Sequence, residues 1–290
     1  MILVTGATGN AGSQVVRALG ERGAAVRAFV RDAEMARVLF GDGVELAVGD
    51  FADPASVEAA LEGVADVMLS CADDPRRVAW EARAIDAAAS AGVRRIVKLS
   101  TIGAEPGAPV AFWDWHGRVE QHLRASGVAF VILQSTFYMS NLLAAAAQVA
   151  REGRLYAPAH EARIAMIDPR DVGAAAAAVL TSAGHEGKTY VLTGPEAITY
   201  EDIARELSRA TGAPVEYIDV PEEAARRGLV ASGMPDWLVE HLVGAFRRIR
   251  AGDFADVTGT VEELTGRPAR AFAEFAYDYR ALFARDPAAV

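Results

Sequence analysis

The stretch Val4-Thr5-Gly6-Ala7-Thr8-Gly9-Asn10-Ala11-Gly12 carries three glycines at Gly-x-x-Gly-x-x-Gly spacing. Apolar residues lead up to Thr5, and Val15, Val16 and Leu19 follow at helical intervals. The pattern reads strand, tight turn, helix. Such a turn uses glycine where φ is positive and where a ligand must approach the backbone, and the first N–H groups of the helix behind it form an anion site. A dinucleotide pyrophosphate fits there, held by Gly6, Gly9, Gly12 and the backbone around Thr8, Asn10 and Ala11.

The residues after the second strand, at 25–30, bear on which dinucleotide binds. An acidic residue about 20 positions past the glycines takes the adenosine ribose hydroxyls, whereas an arginine suits a 2′-phosphate. Here apolar Val30 ends the strand and Arg31 follows directly, which favours NADP(H). NAD(H) is the alternative if Asp32 takes the acidic role; otherwise Asp32 caps the helix starting near Ala33. Behind a third strand at 44–48, Asp50 and Phe51 are placed to meet the adenine as acceptor and wall. A fourth strand at 65–70 ends in Ser70-Cys71-Ala72, small residues that leave room for a cofactor. Cys71 reads as packing, since no His lies near it in sequence to activate the thiol.

These residues need a scaffold, and the chain supplies one by alternation. A helix at 75–91, a fifth strand at 95–100, a Gly/Pro-rich loop at 103–109, a helix carrying Phe112 to Glu120 and a sixth strand at 128–133 complete six strand-helix alternations. That spacing suits βαβ crossovers and a doubly wound parallel sheet of the α/β class, with ligands over the carboxyl ends of the strands. From about residue 135 the alternation loosens. Helix at 139–152, short strands at 164–167, 189–192 and 215–220, an alanine-rich helix from Asp168-Pro169 and three or four final helices follow. The expected division is a dinucleotide-binding core at 1–134 and a C-terminal part at 135–290. Some of the latter completes the core, and the rest forms a smaller, mixed, mainly helical substrate lobe.

Composition excludes several function classes. The 290 residues are 52% hydrophobic and 23% charged, with a formal net charge of −10, which disfavours nucleic acid and acidic membrane surfaces as partners. The single cysteine rules out an internal disulfide. The longest low-polarity runs fall short of the ~20 residues a membrane span requires, and the chain opens directly on a strand, so a cytoplasmic protein is expected. The five His are scattered without metal-ligand spacing.

With these residues in hand, the chain resembles the NmrA-like branch of the atypical short-chain dehydrogenases/reductases, a superfamily of Rossmann fold. The resemblance rests on the glycine stretch, Val30-Arg31-Asp32, Gly49-Asp50-Phe51, Lys98-Leu99-Ser100, His116-Gly117-Arg118-Val119-Glu120, Phe137-Tyr138-Met139-Ser140-Asn141 and Leu192-Thr193-Gly194-Pro195-Glu196. It implies hydride transfer from a nicotinamide cofactor. In active members of the wider superfamily a Ser, a Tyr and a Lys cooperate, the last two spaced Tyr-x-x-x-Lys.

Counting back from Glu120 puts Phe112 at the tyrosine position and His116 at the lysine position, while Ser100 matches the serine. Phenylalanine has no proton to give. Ser100 and His116 are the expected catalytic pair, His116 because an imidazole of ordinary pKa about 6.5 suits proton transfer at neutral pH; its alternative role is to hold the nicotinamide ribose or a backbone carbonyl. Whether Tyr138 or Tyr200 replaces the absent tyrosine is left open by the sequence. The resemblance also places Phe112, Trp113, Trp115, Phe137, Tyr138 and Asn141 around a flat aromatic acceptor. The expected function is an NADPH-dependent reductase of a quinone or aromatic ketone, acting on a small molecule as monomer or homodimer. The alternative, suggested by the missing tyrosine, is a silent NADP(H)/NAD(H)-binding sensor.

Overall fold

A computed structural model describes residues 1–285 of the chain. Its first half alternates as the apolar runs require: β1 (Ile2–Val4), α1 (Asn10–Glu21), β2 (Val26–Val30), α2 (Ala33–Phe40), β3 (Glu45–Val48), α3 (Pro54–Leu61), β4 (Asp66–Leu69), α4 (Arg77–Ser90), β5 (Arg95–Thr101), α5 (Ala111–Ala125) and β6 (Ala129–Ser135). The second half adds α6 (Ala146–Glu152), β7 (Arg154–Ala157), α7 (Pro169–Thr181), β8 (Thr189–Leu192), α8 (Tyr200–Thr211), β9 (Glu216–Asp219), α9 (Glu222–Ala231), α10 (Asp236–Ala251), α11 (Thr260–Thr265), α12 (Phe272–Asp278) and α13 (Arg280–Phe283).

The chain divides into two units, the first made of Met1–Ser135, Pro169–Leu192 and Thr260–Arg267. It holds a seven-stranded sheet in the order β3-β2-β1-β4-β5-β6-β8, every pair parallel. Strand order reverses between β1 and β4, which makes their carboxyl ends the expected ligand crevice of a doubly wound sheet. Both faces are covered, so β1 reads as an unbroken apolar run and β4 is buried along its whole length, apolar from Val67 on. Leu3, Leu69, Ile85, Ile96, Val119, Leu123 and Ile132 form one face's core. At the opposite strand ends Asp66 pairs with Arg95 at 3.1 Å, and Arg95 donates onward to the Leu180 carbonyl at the end of α7.

Local signals set the helix starts. Asp32 Oδ1 accepts from the N–H groups of Glu34 and Met35 at 2.9 and 3.0 Å, and Asp53 caps α3 with Pro54 at its first position. In the second unit Thr199 and Asp202 close a reciprocal capping box on α8.

That second unit comprises Thr136–Asp168, Thr193–Gly259 and the chain from Pro268 on. Within it β7 and β9 pair in parallel, Arg154 opposite Glu216 and Ala157 opposite Asp219. β7 corresponds to no strand expected from the sequence. Conversely, the strand expected at 164–167 is reduced to two isolated bridges, Ile164 with Ile198 and Ile167 with Tyr138. Each lies beside irregular chain, so no ladder propagates from either. α9 and α10 are tied by Arg226 to Glu240 and by Arg247 and Arg250 to Glu222. No described helix is long and apolar enough to cross a membrane.

Candidate active site

The glycine turn sits at the carboxyl end of β1. Gly6 has φ of 59°, in the left-handed region that other residues adopt only with strain. Gly12 answers a different constraint, because a Cβ there would lie 2.1 Å from the Gly6 carbonyl oxygen. The helix therefore starts directly on the turn. Gly9 stands at the N-cap of α1 with no capping side chain, and the first turn holds no acidic residue. The opening N–H groups of a 12-residue helix thus have no side-chain anion of their own. Thr8, Gly9 and Asn10 are exposed, whereas Ala11 and Gly12 are buried and contribute through the backbone.

Thr5 stitches this turn to β4. Its Oγ1 donates to the Ser70 carbonyl at 2.7 Å and accepts from the Ser70 N–H at 2.9 Å. Ser70 is thereby fixed beside Gly6, with Cys71 buried behind it and Ala72 exposed. Burial, with the charge of Glu81 adding to it, pushes the Cys71 thiol up to about 12, so it is no nucleophile at neutral pH.

Arg31 stands exposed directly after β2. Asp32 is engaged as the α2 cap, leaving Arg31 as the charged group of the pair with no partner among the described residues. Asp50 Oδ1 accepts from the Ala52 N–H at 2.8 Å, and the half-buried Phe51 ring meets Phe29 edge to face at 5.7 Å.

Ser100 and His116 come together, but as members of a larger buried cluster. His116, on α5 and 3% exposed, has Nε2 at 2.8 Å from Arg77 Nη1 and Nδ1 at 3.3 Å from Ser100 Oγ. Ser100 Oγ lies 2.5 Å from Glu120 Oε1, and Glu120 also accepts from Gln134 at 3.0 Å and from Arg124 at 2.9 Å. With two further donors on it, Glu120 is an acceptor, so the single Ser100 proton points at Glu120.

Beneath this chain Lys98, wholly buried, donates to Glu81 at 2.9 Å, and Arg77 Nε stands 3.4 Å from the other Glu81 oxygen. Burial lowers the Lys98 ammonium from its ordinary value, against the opposing pull of Glu81. Arg77 further donates to the Cys71 carbonyl at 2.6 Å and to Asp73 at 2.9 Å. Sequence reasoning gave no role to Arg77, Glu81, Lys98, Gln134 or Arg124. Lys98 was the available signal, a charge inside the apolar run Ile96-Val97-Lys98-Leu99.

The aromatic residues separate by burial. Phe112 is half-buried, its ring 4.7 Å from the His116 ring and 5.7 Å from the Arg77 guanidinium. Trp113 and Trp115 are 2% and 8% exposed on α5, so both of these rings are buried where Phe112 is only half-buried. In the second unit Phe137 lies 6.1 Å from Phe254, Tyr138 bridges to Ile167, and Asn141 is exposed. Tyr200 is buried among Tyr217 and Phe246 with its hydroxyl pushed upward by burial, so it is no replacement proton donor. Among the described residues no group of His, Cys, Asp and Glu gathers as a metal site.

The family model described as the NmrA-like family matches residues 1–277. The chain belongs to the NmrA-like family. It is 40% identical over 283 residues to an NAD(P)H azoreductase of Xenophilus azovorans, covering 98% of this chain and 99% of that one. It is 33% identical over 277 residues to quinone oxidoreductase 2 of Escherichia coli, covering 94% and 96%. Among solved structures, the E. coli NADPH-dependent quinone oxidoreductase complexed with NADPH superimposes with a TM-score of 0.87 at 32% identity, over 96% of this chain and 99% of that chain.

Proposed function

We propose that the protein is an NADPH-dependent reductase of quinone-like acceptors. The observation that carries this reading is the turn at Gly6–Gly12: a Cβ at Gly12 would fill it, and uncapped N–H groups face it. Those are the features a pyrophosphate needs. The azo and quinone reductases among its relatives support the reaction class.

When bound, the reduced nicotinamide supplies a hydride. The backbone from Gly6 to Gly12, including Thr8, Gly9, Asn10 and Ala11, holds the pyrophosphate, and Arg31 pairs with the 2′-phosphate. Asp50, Phe51, Ser70, Cys71 and Ala72 line the adenosine side. Phe112, half-buried against His116, borders the acceptor. Ser100 and His116 act through position, because the hydroxyl proton of one and both ring nitrogens of the other already have partners. A quinone suits such a site, since its reduced form is an aromatic anion that takes its proton from water. Orientation then supplies most of the acceleration, worth up to ~7–11 kcal/mol in favourable cases.

The test is NADPH oxidation followed by absorbance against quinones and aromatic ketones, with calorimetry of NADPH and NADH on the same sample. Turnover of quinones, faster with NADPH than with NADH, is expected. Arg31→Ala should weaken NADPH by roughly 10- to 100-fold, the worth of one charged hydrogen bond, and leave NADH nearly unchanged. Tight binding without turnover of any acceptor would replace the reductase by a dinucleotide sensor, and equal weakening of both cofactors would remove Arg31 from the phosphate.

A further inference from the structure

Arg77, on the first turn of α4, is a full member of the buried cluster at 3% exposure. A guanidinium carries donors only and keeps its charge at any working pH. At 2.8 Å from it, His116 Nε2 must therefore be the acceptor. The proton of the neutral ring sits on Nδ1, which donates to Ser100 Oγ, and Ser100 in turn donates to Glu120. Polarity runs one way, from Arg77 through His116 and Ser100 to Glu120. A doubly protonated ring would set an N–H against the guanidinium N–H.

We propose that Arg77 is a positioning residue that determines acceptor specificity. By fixing the Nδ1–H tautomer of His116, Arg77 withholds the imidazole from the acceptor as a proton donor, while Glu120 holds the Ser100 proton. The proposal rests on the reductase reading. Hydride transfer adds two electrons and one hydrogen nucleus to the acceptor. A quinone becomes the hydroquinone monoanion, whose charge spreads over an aromatic ring and which then takes a proton from water. A simple ketone becomes a localised alkoxide, which needs its proton as the hydride arrives. Phe112, edge to face with His116 and 5.7 Å from the Arg77 guanidinium, adds an apolar cover and no proton. The cluster thus admits the first acceptor class and excludes the second.

The experiment has a spectroscopic and a kinetic arm. The cofactor-free protein carrying ¹⁵N-histidine is studied by nitrogen-proton correlation through the ring C–H groups, with His116 assigned by the loss of its signals in His116→Gln. Wild type is expected to show a protonated Nδ1 and a bare Nε2. Arg77→Met should shift the ring towards Nε2–H, and Arg77→Lys, which keeps a donor, should restore the wild-type pattern in large part. A protonated Nε2 in wild type overturns the proposal without needing any variant to fold.

In the kinetic arm, kcat/KM for a quinone divided by that for an aromatic ketone should be high in wild type. It should fall by roughly tenfold or more in Arg77→Met, the scale at which a single proton donor acts, and recover in Arg77→Lys. An unchanged ratio in Arg77→Met, or equal wild-type turnover of both acceptors, overturns it. Absence of turnover with every acceptor fails the reductase reading itself. That failure is told apart from failure of the proposal because the wild-type spectrum still reports an Nδ1–H ring.

Discussion

Replacing Lys98 with methionine probes the polar cluster at its deepest point. Both members of the Lys98–Glu81 pair have no side-chain exposure and stand 2.9 Å apart. Removing one partner of such a pair costs about 3–5 kcal/mol, because the other charge stays buried without its counterion. Here Glu81 keeps a second cation in Arg77, 3.4 Å away, so the lower end, about 3 kcal/mol, is the expected loss. A domain holds a margin of about 5–15 kcal/mol, and the variant should therefore fold but unfold at distinctly lower urea, with an unchanged slope.

The double variant Lys98→Met/Glu81→Met removes both charges and keeps comparable volume. It should recover most of the loss, ending within about 1 kcal/mol of wild type or above it. The assay is urea unfolding followed by circular dichroism for the wild type, the two single variants and the double variant at one pH. A loss below about 1 kcal/mol in Lys98→Met, or a double variant as unstable as Lys98→Met, would refute the description of a buried, mutually compensating pair.

Further outcomes follow from the glycine turn and from Cys71. Gly12→Ala drives a methyl against the Gly6 carbonyl, where the available gap is 2.1 Å, so the turn must open. A displacement of ~1 Å costs ~10²-fold in rate in a positioned site, so NADPH-dependent turnover should fall on that scale while NADPH binding weakens by calorimetry. Gly20→Ala on the same helix meets nothing within 4 Å and should bind NADPH as wild type while gaining up to about 1 kcal/mol in urea. Cys71, with its thiol raised from 9.0 to about 12, should resist a disulfide reagent in the folded protein at pH 8–9 and react at once in urea. Its sign in stability is also fixed: above pH 9 the unfolded chain loses the thiol proton and the folded chain keeps it. Stability should therefore fall by of the order of 1 kcal/mol per pH unit between 9 and about 12, and Cys71→Ala should flatten that fall.

By itself the sequence determined the parts whose cause is local. The glycine turn, the Asp32 and Asp53 caps, the capping box at Thr199 and the apolar runs of β1 to β6 each depend on residues within a few positions, and the structure has them there. The sheet class followed because strand-helix spacing leaves a right-handed parallel crossover as the economical connection. Even the absence of a tyrosine at Phe112 was legible.

Tertiary structure alone decided the rest, since distances along the chain say nothing about which polar groups meet. Arg77 reaches His116 across 39 positions and Ser100 reaches Glu120 across 20. Those contacts exist because α4 and α5 pack on the sheet beside β5, bringing polar groups to one buried place where each must find a partner. β8 joins the sheet beside β6 only after α7 has intervened, and β7 finds β9 through 62 positions of sequence. The residue types of Ser100 and His116 suggested a proton donor. Only the tertiary structure shows that both are buried and that a guanidinium stands 2.8 Å from the imidazole.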